Sequence, residues 1–141
     1  MLSIQISDIK DFMSHLLSKD TFDHFYFIEA SIKMGVSYQI QGRINEGFYD
    51  TSVEQTLNRE FCYWKEIRHR IFDIIKGKRL PLSCKIVLGL SKQSISYLIA
   101  HNNSSFREED IEGIYVNILY DPKNLLITTG ISYKNFSLDK S

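Results

Sequence analysis

The spacing of apolar residues switches repeatedly between a helical and a strand period, and each switch marks an element. Leu2, Ile4 and Ile6 alternate with Ser3, Gln5 and Ser7, which predicts a short half-buried strand. Ile9, Phe12, Met13, Leu16 and Leu17 then recur at three- and four-residue intervals. That is a core-facing helical stripe, which Ser7 or Asp8 is placed to cap.

From Tyr26 the period is two. Tyr26, Ile28, Ala30, Ile32 and Met34 share one face, opposite Glu29, Ser31 and Lys33. After Gly35 the alternation resumes through Val36, Tyr38, Ile40 and Ile44, so the pair predicts a hairpin with one wet face. Phe25 and Phe27 fall on the polar side of this pattern, so that end of the strand is expected to be covered. Gly42 is expected to mark a bulge or a close backbone approach.

The chain is organised around the segment from Asn58 to Lys85. Phe61, Trp64, Ile67, Ile71, Ile74 and Ile75 form one apolar stripe, with Glu60, Lys65, Glu66, His69, Arg70, Asp73 and Lys76 opposite. A helix over about 58–76 is therefore expected, with Cys62 inside it. Gly77 ends it and Pro81 forbids its continuation. Ser83 to Leu90 is dense in apolar residues and reads as an interior strand. Ser91 is placed to cap a second short helix with Ile95, Leu98 and Ile99 inward. Ser105 and Glu108 have capping-box spacing. Ile114, Val116, Ile118 and Tyr120 alternate up to Asp121-Pro122-Lys123-Asn124, a type I turn signature, and Leu125, Ile127, Thr129, Ile131 and Tyr133 return as the partner strand.

Each half of the chain thus runs strand, capped helix, hairpin. An offset of 82 residues sets Ile4 on Ile86, Met13 on Ile95 and Leu16 on Leu98. Neither half can bury a sheet face and a helix stripe alone, so the two are expected to share one interior. The expected architecture is α+β in a single domain, 1–141. It has a mainly antiparallel sheet of about six strands with helices on one side, and a candidate duplicated β-α-β-β unit. The pseudo-halves would span about 1–50 and 83–135, joined by the 58–76 helix.

Composition narrows the function classes. The 141 residues carry 17 basic and 17 acidic side chains, a balance that disfavours a dedicated nucleic-acid binder. No apolar run approaches the roughly 18 residues of a spanning helix. The start, MLSIQISD, lacks a basic region ahead of an apolar stretch, so a cytoplasmic protein without membrane association is expected. Cys62 and Cys84 have no zinc or redox spacing and read as two small thiols.

Four segments carry a resemblance: Ile6 to Met13 (ISDIKDFM), Asp20 to Phe25 (DTFDHF), Gly42 to Asn45 (GRIN) and Lys76 to Ser83 (KGKRLPLS). In this order and spacing the chain resembles a family of uncharacterised proteins of anaerobic Firmicutes, a domain of unknown function. The resemblance spans nearly the whole chain. It implies a bacterial single-domain protein and supplies no activity, cofactor or catalytic residue.

The chemistry is sparse. His15, His24, His69 and His101 are scattered, and no HExxH, CxxC, nucleophile-elbow or P-loop pattern is present. Asp20, Asp23 and His24 are near neighbours that offer either a metal site or a polar turn with Asx capping. Arg68, Arg70, Lys78 and Arg79 gather at the end of the long helix. They offer either an anion or partner surface or simple compensation of the helix dipole. The 45–53 loop, with Asn45, Phe48 and Tyr49, offers either a contact surface or a connection whose aromatics tuck under the core. The expectation is a non-catalytic binding module without a cofactor, acting on a protein partner or a second copy of itself. One alternative is a nucleic-acid-associated protein with sliding-clamp-like topology. The other is a small enzyme using Asp20, Asp23 and His24.

Overall fold

The computed structural model describes residues 3–48, 59–91, 95 and 111–133. In chain order these form β1 (Ser3–Gln5), α1 (Ile9–Leu17), β2 (Tyr26–Lys33), β3 (Ser37–Gln41), a one-turn 3-10 helix (Glu46–Phe48), α2 (Trp64–Ile75), β4 (Ser83–Gly89), β5 (Ile111–Tyr120) and β6 (Leu125–Tyr133). The six strands make one sheet in the order β1-β6-β5-β4-β2-β3, and every neighbouring pair is antiparallel. The fold is α+β. The expected Ser91 helix, the Ser105–Glu108 box and Tyr49 lie almost entirely outside the described residues. Ile95, which is helical and buried with its N–H on the Ser91 carbonyl, is the exception.

Cross-strand rows explain why one face of the sheet is the core. Ile32, Cys84, Tyr120 and Leu125 lie side by side, as do Ala30, Ile86, Ile118 and Ile127, and then Phe27, Leu88 and Val116. Leu16 and Leu17 of α1 and Trp64 and Ile71 of α2 pack onto these rows in one cluster. Each fully buried Ile, Leu or Phe here contributes about 1.5–3 kcal/mol of transfer free energy. The opposite face presents Glu29, Ser31, Lys85, Asn117 and Thr128, the wet side of the alternation.

Three features depart from the sequence pattern. First, β2 carries an irregularity between Phe27 and Glu29, opposite β4. One extra residue reverses the alternation, so Phe27 joins Ala30 and Ile32 on the core face and is fully buried. The polar-side placement of Phe27 is thereby corrected. Second, the long helix begins at Trp64 and not near Asn58. Phe61 bridges Arg43 and Tyr63 bridges Tyr26, so 61–63 is extended and Cys62 precedes the helix. Cys62 donates to the Gly42 carbonyl and accepts from Phe27 N, which wedges this segment between the splayed ends of the hairpin. Gly42 is the close approach expected of it: a Cβ there would collide with the Phe27 carbonyl. Third, the halves are not equivalent. β4 pairs with both β2 and β5, whereas β1, its counterpart, pairs only with β6, at the far edge. β1 is also more exposed than its alternation implies, with Ile4 at 45%.

Candidate partner-binding site

The basic cluster is divided by the structure. Arg68, on the inner flank of α2, donates from Nε to Asp23 Oδ1 at 2.7 Å and from Nη2 to Asp23 Oδ2 at 3.2 Å. Its Nη1 also reaches the Leu17 carbonyl at 3.4 Å. Both side chains of the pair are nearly buried, and the hydrogen bonds that Arg68 donates to Asp23 raise the guanidinium pKa further. This bidentate pair ties the 18–25 loop to α2. It leaves Arg68 turned away from any external anion, and it occupies both oxygens of the carboxylate that a metal would need. Asp20 enters the same turn through its carbonyl, which accepts from Asp23 N, and His24 is exposed. Among the described residues, no three His, Cys, Asp or Glu side chains converge as metal ligands.

Arg70, Lys78 and Arg79 remain exposed. Lys76 is held by Asp73 at 3.0 Å and lies over the Phe72 ring. Gly77 takes φ +147, a conformation side chains disfavour, and turns the chain sharply off the helix end. The turn is then anchored twice. Pro81 is fully buried, and Leu82 N donates to the Lys33 carbonyl at 2.8 Å. Between and beside these anchors, Leu80 and Leu82 project into solvent at 66% and 69% exposure. Two leucines and two cations within five residues thus stand on a fixed turn. Sequence periodicity does not single out the leucines, because Leu80 and Leu82 lie between the helical stripe that ends near residue 76 and the strand that starts at Ser83.

The second predicted surface lies elsewhere. The Ile44 N–H reaches the Glu60 carbonyl, just ahead of α2, so the Asn45 loop starts near the N-terminal end of that helix. The basic turn follows its other end, about 18 Å away for twelve residues of α-helix. The two are separate surfaces. Asn45 accepts from Phe48 N, and Phe48 is 82% exposed rather than tucked under the core.

An aromatic and charged cluster at the start of α2 was not foreseen. Tyr26 stacks on Tyr63 with centroids 5.4 Å apart, and the Arg59 guanidinium lies 4.4 Å over Tyr63. Arg59 pairs with Glu66 at 2.8 Å, and Glu66 also accepts from the Tyr63 N–H. Burial alone would raise the Glu66 pKa; the bonds from Arg59 and Tyr63 outweigh it and hold the carboxyl below its ordinary value. The signal was hidden because Phe61 and Tyr63 satisfy strand alternation while Phe61 and Trp64 also satisfy helix spacing. Beside this cluster, the sheet face opposite the core holds a shallow trough of about 400 Å³ with a mixed lining, Lys85 and Asn117 beside Val87, Tyr115 and Ile131.

Residues 15–141 match a family of unknown function, DUF5721. The chain belongs to that family. No curated protein and no solved structure matches it. Membership of DUF5721 assigns no reaction or ligand, so the case for each surface of this DUF5721 member rests on its own geometry. No helix among its described residues is long and apolar enough to cross a membrane.

Proposed function

We propose that this chain is a non-catalytic binding module of the bacterial cytoplasm. Its partner surface is the turn of Lys78, Arg79, Leu80 and Leu82, with Arg70 on the adjoining helix. The observation that carries the reading is the pair of projecting leucines beside exposed cations on a turn anchored by buried Pro81. Exposed apolar side chains rimmed by charge are the usual composition of an interaction site. The complementary partner is a protein surface with an apolar pocket and acidic rim. Of Asp20, Asp23 and His24, Asp23 is committed to Arg68, which supports the same reading.

The test is a photo-crosslinking amino acid in place of Lys78, introduced in the native host. A discrete protein adduct is expected, and it should vanish when Arg79→Glu and Leu80→Ser are added without loss of thermal stability. Adduct formation indifferent to both changes would refute the assignment. The nucleic-acid alternative draws on the same cations but has lost Arg68 to the interior, and a neutral chain offers little counterion release. Retention on DNA that falls steeply with salt and with Arg70→Ala and Arg79→Ala would favour it instead.

A further inference from the structure

We infer that β3 is a self-pairing edge, and that two copies of the chain join through it into one continuous sheet. This rests on the sheet alone and is independent of the basic-turn reading.

The sheet has two edges, and they are protected differently. β1 is three residues long, too short to template much pairing. β3 runs Ser37-Tyr38-Gln39-Ile40-Gln41, with no charge, proline or bulge, the devices that usually blunt an edge. Four of its five residues are exposed and Ile40 is half-buried.

Hydrogen-bond parity shows which groups are offered. The Gly42 N–H bonds inward to the Ile28 carbonyl, and the Val36 carbonyl accepts from Met34 N. In an antiparallel ladder, inward-bonding residues alternate, so Tyr38 and Ile40 bond β2 while Ser37, Gln39 and Gln41 direct their main-chain groups outward.

That outward row is symmetric about its centre. Antiparallel pairing with a second copy, about a two-fold axis at Gln39, sets Gln39 against Gln39 and Ser37 against Gln41. All of these are hydrogen-bonding pairs. The intervening non-hydrogen-bonded pairs set Tyr38 of each copy against Ile40 of the other, on the helix side of both sheets. An aromatic against a β-branched residue is a favourable cross-strand pair. It would cover Tyr38, now 38% exposed, and the half-buried Ile40. No like charges meet anywhere along the strand. A register shifted by one residue would set inward-bonding groups against outward ones and form no ladder.

The full chain should elute with a light-scattering mass of twice its 16.5 kDa. Gln39→Pro removes an outward N–H without touching the ladder to β2, and should abolish the dimer peak. Should that variant fail to fold, cysteine crosslinking in a Cys62→Ser background decides. Gln39→Cys places two thiols across the axis at a Cα separation of about 5.5 Å, within disulfide range. Ser37→Cys leaves them roughly 13 Å apart along the strands. Efficient oxidation of the first and not the second is the expected result. A monomeric chain, a dimer that survives in folded Gln39→Pro, or equal crosslinking at both positions would overturn the inference.

Discussion

The indole Nε1 of Trp64 donates to the main-chain carbonyl of Leu16 at 2.7 Å, and both residues are fully buried. Leu16 belongs to the last turn of α1, where carbonyls have no intrahelical partner. The first residue of α2 therefore satisfies the end of α1, and the two helices are tied directly to each other as well as through the sheet they cover. Trp64→Phe would keep an aromatic ring but leave that carbonyl bare in the core. A loss of about 2–4 kcal/mol is expected from the unsatisfied acceptor and the smaller ring. Urea unfolding followed by circular dichroism measures it; a midpoint within error of the parent would show the bond to be dispensable.

The Arg68–Asp23 pair lies one helical turn further along α2. Because the two side chains are only 13% and 12% exposed, removing one partner strands a charge rather than freeing a surface group. Asp23→Ala is expected to cost about 3–5 kcal/mol. Adding Arg68→Met should recover part of that loss, since the double variant buries no unpaired charge. Additive losses in the double-mutant cycle would argue that the pair is not coupled.

Gly42 offers a geometric test of how the hairpin end is built. Gly42→Ala drives a methyl into the Phe27 main chain, which cannot move without disturbing the bulge and the Cys62 bonds. A cost of about 1–3 kcal/mol or more is expected. Gly35→Ala meets open space in the neighbouring turn and should stay within about 0.5 kcal/mol. Thermal melts of the two variants side by side distinguish a packing role from a generic glycine effect.

These residues also show what the chain reveals before its structure is known. The stripes through Leu16 and Leu17 and through Ile67, Ile71 and Ile74 predicted the buried faces of both helices, because a 3.6-residue period survives tertiary context. The Asp121–Asn124 turn was legible for the same local reason: Asp121 Oδ1 accepts from the Lys123 and Asn124 N–H groups. The inversion at Phe27 was not legible, since a single inserted residue is invisible until β4 supplies the register. Nor was the start of α2, where 61–63 is held extended by contacts to Tyr26 and Arg43, far away in sequence. Helical spacing puts Arg70 on the exposed side of α2 and Arg68 nearer its margin, but only the fold supplies Asp23 as the partner that takes Arg68 out of the basic cluster. Strand order was likewise beyond a pattern argument, because two similar strand–helix–hairpin units are compatible with several pairings, and the observed one places β1 on β6.

The last prediction concerns pH. Glu66 has its carboxyl pKa lowered from the ordinary 4.5, with Arg59 and the Tyr63 N–H as the stabilising partners. A folded-state pKa below the unfolded one means the unfolded chain binds the proton more tightly. The contribution of Glu66 is therefore complete above about pH 4.5 and is lost as pH falls through the folded value. Glu66→Gln cannot ionise, so its stability should decline less steeply than that of the parent between neutral pH and that acid range. At neutral pH the variant should be the weaker of the two, because a neutral amide replaces the charged acceptor of Arg59 at the start of α2. The side chain is 37% exposed, so solvent screens the pair and the neutral-pH difference should be small. Melting temperatures of both proteins across the acid limb measure the effect, and parallel curves would mean that Glu66 titrates no differently when the chain is folded.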